Sequence, residues 1–255
     1  MNTEIISLII FGCVVGAVLI GKAFHRLLPE DHLSADTKET VKLAMGLLAT
    51  MSALLLGLLV ASAKSSYDNA RNQVIEMAAK VAFLDRVLIG YGPEAGDVRN
   101  LLREAIEDTA HRMQPLKANT ESKLTPNTQA GNAIYVAIQR LTPNDEMQRS
   151  LKAQATTLAV ELGQLRTLLV AESISSISKP LLIVVSFWLV IIFLSFTLIA
   201  PRNATATFAL IVSAVAVATA IFLILELDRP FNGLLRIPSE RILNVLSQLQ
   251  NQGNK

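Results

Sequence analysis

Cysteine is almost absent. Cys13 is the single example, so no intrachain disulfide can form and no disulfide framework supports the fold. Histidine is scarce too: His25, His32 and His111 are scattered, and a metal centre needs more ligands at closer, more regular spacing. The Pro29-Glu30-Asp31-His32 stretch reads as an ordinary polar loop. Aromatic residues make up 5% of the chain, no basic run carries interleaved aromatics, and the net charge is only +2, which argues against a nucleic-acid binder. There is no phosphate-cradling glycine-rich loop, nucleophile elbow or paired intramembrane carboxylate. No catalytic residue, metal or cofactor is expected, and the chain is not read as an enzyme.

Half of the sequence is apolar, and its charges are unevenly spread. Four stretches, residues 5–21, 43–63, 181–200 and 204–225, are almost free of charge. A helix needs about 20 residues to cross a hydrocarbon core of about 30 Å, so each can span a bilayer. The first begins with Glu4 and no positive residue, and no clear small-x-small cleavage site follows it, so it is read as a retained helix rather than a signal. The expected organisation is a first span at 4–22, a loop at 23–42, a second span at 43–63, a helical domain at 64–179, a third span at 181–200, a fourth at 204–225 and a tail at 226–255.

The third connection is only Pro201-Arg202-Asn203, so spans three and four form a tight hairpin. Both termini and the 64–179 domain then share one side of the membrane. That side carries Lys64, Arg71, Lys179, Arg229, Arg236 and Arg241 near the bilayer, against Lys22, Arg26, Lys38, Lys42 and Arg202 opposite. The slight positive excess places the domain and both termini in the cytoplasm.

No Pro or Gly interrupts the second span just beyond Gly57, and Val74, Met77, Val81, Leu84 and Leu88 continue at helical spacing. One helix is therefore expected from about residue 40 to 89, broken by Gly90-Tyr91-Gly92-Pro93. A second, 93–113, carries Val98, Leu101, Leu102, Ala105 and Ile106 on one face. Residues 114–131 have loop composition, a short helix follows at 132–141, and Thr142-Pro143-Asn144-Asp145 opens another bearing Leu151, Leu158, Leu162, Leu165 and Leu169. This last helix can extend to residue 178, where Pro180 either kinks it or marks entry into the third span. The 64–179 segment holds fourteen basic and thirteen acidic residues. It reads as a bundle made from extensions of the second and third spans.

Two faces of the second span stand out. Gly46, Thr50, Ala53, Gly57 and Ala61, followed by Lys64, Asp68 and Arg71, form a face of small residues suited to close packing in lipid, with Gly46, Thr50, Gly57 and Ala61 as its helix-packing positions. Met51, Leu55, Leu58, Ser62, Ser65 and Asn69 form another, passing from apolar side chains to hydroxyls and an amide. That second face suits either a constriction opening into a polar vestibule, if several copies surround an axis, or a lipid-facing or core stripe. Ser173, Ser175, Ser176 and Ser178 are equally open between lining such a vestibule and bonding to their own helix. Glu226, Asp228, Arg229, Pro230, Phe231 and Gly233 close the fourth span, either as membrane anchors or as a turn coupling the amphipathic 237–249 segment to the pore-side helices.

Three blocks, Glu226-Leu227-Asp228-Arg229-Pro230-Phe231-Asn232-Gly233-Leu234, Pro201-Arg202-Asn203-Ala204-Thr205 and Gly57-Leu58-Leu59-Val60-Ala61-Ser62-Ala63-Lys64-Ser65-Ser66-Tyr67-Asp68, resemble the bacterial bestrophin-like family, a domain of unknown function. The resemblance implies an all-α polytopic fold like that of bestrophins, with four spans, a second helix lining a central pore, long cytoplasmic helices and a pentameric ring. The chain departs from bestrophins in having no Phe between residues 43 and 63, where their phenylalanine-rich neck would fall, and no acidic cluster like their calcium clasp. The leading expectation is a homo-oligomeric ion channel of the bacterial inner membrane. Its constriction would be Met51, Leu55 and Leu58, its polar rings Ser62, Ser65 and Asn69, and its partners further copies of itself, the lipid bilayer and inorganic ions. The alternative is a non-conducting scaffold or signalling protein whose cytoplasmic bundle binds a partner.

Overall fold

A computed structural model describes residues 3–25, 35–113, 128–172, 178–201 and 203–230. Every regular element among them is helical: α1 Thr3–His25, α2 Ala35–Tyr91, a 3-10 turn Pro93–Ala95, α3 Gly96–Met113, α4 Thr128–Arg140, α5 Glu146–Glu172, α6 Lys179–Ile199 and α7 Ala204–Leu227. Four are long and apolar enough to cross a bilayer: α1, α2, α6 and α7. The chain divides into two compact units. One comprises Met1–Ser66 and Ser175–Asp228, the other Tyr67–Ile174 and Arg229–Lys255, and α2 contributes to both.

In the first unit α1 packs on α6 and α7. Gly21 is the tightest point: a Cβ there would sit 2.8 Å from Thr197 Cβ and 3.2 Å from the Leu194 carbonyl oxygen, so only glycine lets α1 approach α6 this closely. Val14, Val18, Phe193 and Ala214 form one buried cluster; Ile10, Leu59, Ala63, Val185, Leu189, Ile221, Ile224 and Leu225 form another. Pro180 lies in the first turn of α6, where a missing N–H costs no helical hydrogen bond, with Ser178 as the preceding cap residue. It therefore starts α6 rather than kinking its interior. At the other end of the hairpin Asn203 caps α7, its side-chain oxygen accepting from Ala206 N at 2.8 Å.

The second unit is built by α2 beyond Ser66 and by α3, α4 and α5. Its core joins Val74, Leu84, Leu88 and Tyr91 of α2 to Val98 and Leu102 of α3, Ile138 of α4, and Ala155, Leu158 and Leu169 of α5. The stripe of hydrophobics expected on α2 thus contributes this core, with Met77 and Val81 packed at its edge. Helix α2 ends where Gly92 takes φ 119°, a left-handed conformation that favours glycine, and the 3-10 turn then leads into α3. The segment after this break starts at Pro93, as expected, with a 3-10 turn over its first three residues and the α-helix from Gly96. Asp145 opens α5 by accepting from Gln148 N at 2.6 Å, while Gln148 Oε1 accepts from Asn144 N at 2.7 Å, a reciprocal arrangement close to a capping box. Gln148 also donates to the Tyr91 carbonyl at 3.0 Å and so ties the start of α5 to the end of α2.

Several helix limits differ from those expected. α2 is longer at both ends, and α4 starts four residues earlier, at Thr128, taking Gly131 into its first turn. Position along a helix explains the difference: a glycine weighs little against helix formation near an end, where few intrahelical bonds depend on it. α5 is described to Glu172, so its expected course to residue 178, with Ser173, Ser175 and Ser176, lies outside the described residues.

Candidate functional site: the exposed faces of the second helix

Helix α2 differs from the other spans in how little of it this chain covers. Of its apolar window 11% is buried, against 33% for α1, 28% for α6 and 22% for α7. Leu43, Leu47, Leu54, Leu58 and Val60 are all exposed. One narrow face is covered: Ser52, Leu59 and Ala63 are buried, and Leu55 and Leu56 pack against the cluster containing Ile10 and Ile221.

At 100° per residue, the stripe Met51, Leu58, Ser62 and Ser65 runs down one side of α2, and all four are exposed in the first unit. Leu55 shares the stripe but is half-buried, turned toward the covered face. Asn69, in the second unit, is exposed. The order of chemistry is apolar, then hydroxyl, then amide.

The small-residue face lies about 120° away. Gly46, Thr50, Gly57 and Ala61 are exposed, and a Cβ added at Gly46 or Gly57 would meet nothing. Among the described residues this seam has no packing partner, whereas the close approach of helices falls at Gly21 and Thr197. Sequence reasoning missed Gly21; its signal was a small residue directly before Lys22, at the charged end of the first span. Thr50 satisfies its hydroxyl on the Gly46 carbonyl at 2.9 Å.

At the end of α7, Glu226 and Asp228 are buried, and so is Pro230, while Arg229 is half-buried. The Asp228 N–H bonds back to the Ile224 carbonyl at 3.2 Å and ends the helix. Phe231 and Gly233 of the expected coupling turn lie outside the described residues, as do Pro29-Glu30-Asp31-His32.

Ion pairs in the second unit secure α2. Asp85, fully buried, accepts from Arg99 Nε of α3 at 2.8 Å and from its Nη2 at 3.4 Å. Lys80 bridges Glu161 of α5 at 2.6 Å and Glu76 of α2 at 3.4 Å. The hydrogen bond to Glu161 holds the Lys80 ammonium above the ordinary lysine range, partly opposed by desolvation. Burial, reinforced by the charges of Glu94 and Asp145, pushes the Tyr91 phenol up. Its buried hydroxyl has no hydrogen-bond partner among the described residues.

These features define a class: an all-α, four-span membrane protein whose second helix continues into a helical bundle. Residues 12–242 match the Bestrophin-like domain, and the chain belongs to that family. Solved structures agree in fold. A bacterial bestrophin homologue from Klebsiella pneumoniae carrying a point mutation is 13% identical, with a TM-score of 0.67 over 95% of this chain and 99% of that one. A second mutant of the Klebsiella homologue is 15% identical, with a TM-score of 0.65 over 98% of both chains. No curated protein matches the chain in sequence.

Proposed function

We propose that the protein is a homo-oligomeric, pentameric bestrophin-like ion channel of the bacterial inner membrane, with α2 lining the pore and both termini and the second unit in the cytoplasm. The observation that carries this reading is the exposed stripe of α2, in which Met51 and Leu58 give way to Ser62, Ser65 and Asn69 on a helix that its own chain leaves largely uncovered. Around an axis, rings of Met51, Leu58 and the free part of Leu55 make a narrow apolar constriction that admits or refuses ions by wetting. The hydroxyls and amide below it replace part of an ion's hydration shell. The open seam at Gly46, Thr50, Gly57 and Ala61 lies about a third of a turn away, where a neighbouring copy's helix can approach closely. The turn at Glu226, Asp228, Arg229 and Pro230 couples the tail to the pore-side helices.

Purified protein in planar bilayers tests this directly. Single-channel currents are expected, and Leu58→Ala, which widens the constriction, is expected to raise conductance or open probability more than Leu55→Ala does. No current from the wild type, together with no change in either variant, would leave the non-conducting scaffold as the better reading. A monomer or dimer in detergent would remove the axis on which the pore depends.

A further inference from the structure

We propose that the outer end of the α1, α6 and α7 spans is a binding site for an anionic phospholipid. A cavity of about 560 Å³ opens there, within the roughly 300–1,000 Å³ range of ligand clefts. Lys22, Pro201, Asn203, Thr207, Phe208 and Ile211 are among its lining residues. Its depth is set by the helix ends. Lys22 follows the Gly21–Thr197 contact near the end of α1, α6 stops at Ile199 and α7 starts at Ala204, so the cavity sits where hydrocarbon gives way to headgroups.

Chemistry divides the cavity in two. On the polar side the Lys22 ammonium has no acidic partner among the described residues. Asn203 spends its side-chain oxygen on Ala206 N, which leaves its NH2 group to donate. Thr197 and Thr207 already donate their hydroxyls to the Phe193 and Asn203 carbonyls, at 2.7 and 3.1 Å. Among the described residues the rim therefore offers a cation and an amide donor and no carboxylate, which suits a phosphodiester with a net negative charge. On the apolar side Phe208 is 69% exposed and Ile211 44% exposed, on a helix that lies in the bilayer. A free phosphate would use the rim and leave this wall idle; a lipid fills both, laying an acyl chain along α7. The inference rests on the four-span fold and stands whether or not the protein conducts.

Native mass spectrometry of the purified full chain, incubated with equal amounts of phosphatidylglycerol and phosphatidylcholine, tests the site. The wild type is expected to retain phosphatidylglycerol about fivefold over phosphatidylcholine, the factor one interfacial lysine contributes. Lys22→Gln should abolish that preference and Lys22→Arg should keep it. Ala206→Trp, which fills the cavity, should lower retention of both lipids. Thermal unfolding of each variant checks that it is folded. Equal retention by the wild type, or an unchanged preference in Lys22→Gln, overturns the proposal. Displacement of phosphatidylglycerol by excess inorganic phosphate also overturns it, by assigning the site to a soluble anion.

Discussion

Helix α2 passes through two different solvents, and its two halves are held in different ways. Beyond Ser66 it buries Val74, Leu84, Val87 and Leu88 in a shared core with α3, α4 and α5, and sets Asp85 against Arg99. In its apolar half the described residues cover only one narrow face, and Leu43 and Leu54 are more than 70% exposed. In water, burying apolar surface is what makes a bundle stable, so the extension needs neighbours all along its apolar stripe. In lipid, a leucine gains little by leaving the hydrocarbon, so the same helix can leave its side chains to lipid, to a second copy or to a pore. Its polarity pattern is thereby freed for function.

This contrast can be broken at several points. Asp85→Ala removes the buried carboxylate, leaves the half-buried Arg99 guanidinium without it, and is expected to cost about 3–5 kcal/mol, read as a large fall in the thermal unfolding midpoint. A small change would mean that Arg99 turns readily to solvent and that the pair is dispensable. Leu84→Ala, at a fully buried site, should cost about 2–5 kcal/mol, whereas Leu54→Ala should stay within about 0.5 kcal/mol in detergent. If Leu54→Ala proves as costly as Leu84→Ala, its face is covered by protein in the assembly, and the two halves of α2 are less different than a single chain shows. Tyr91→Phe removes a buried, unpartnered hydroxyl and is expected to raise stability by about 1 kcal/mol.

The smallest effect is a pH dependence confined to alkaline solution. Lys80 and Tyr91 both bind their protons more tightly in the folded state than in the unfolded one. Their contribution is therefore complete below the ordinary tyrosine value of about 10 and is lost as pH rises through the higher folded values. Unfolding curves between about pH 8 and pH 11 should show this decline. Tyr91→Phe should make it shallower, and an unchanged slope would mean that the phenol does not titrate with folding.

Much of the fold was legible in the sequence because the signals are local. Charge-free runs of span length, Gly92 with Pro93 after a long periodic stretch, and Asp145 before a leucine-rich helix each mark an element by its own residues. The candidate site was less legible. The stripe Met51 to Asn69 follows from helical spacing, but spacing cannot show that Leu55 leans toward Ile10 and Ile221 while Leu58 stays exposed. Nor can it separate the seam at Gly46 and Gly57, open within the chain, from the close contact at Gly21.

By itself, then, the sequence determined that this is a four-span helical membrane protein with one helix carried beyond the bilayer, because span length and 3.6-residue periodicity are properties of each segment alone. The tertiary structure decided which faces of those helices are spent on contacts within the chain. Burial depends on which partner helix arrives, and two stripes with similar chemistry can meet different neighbours. It covered one face of α2 and left the polar stripe and the small-residue seam uncovered, and it gathered Lys22, Asn203 and Phe208 from distant parts of the chain around one cavity.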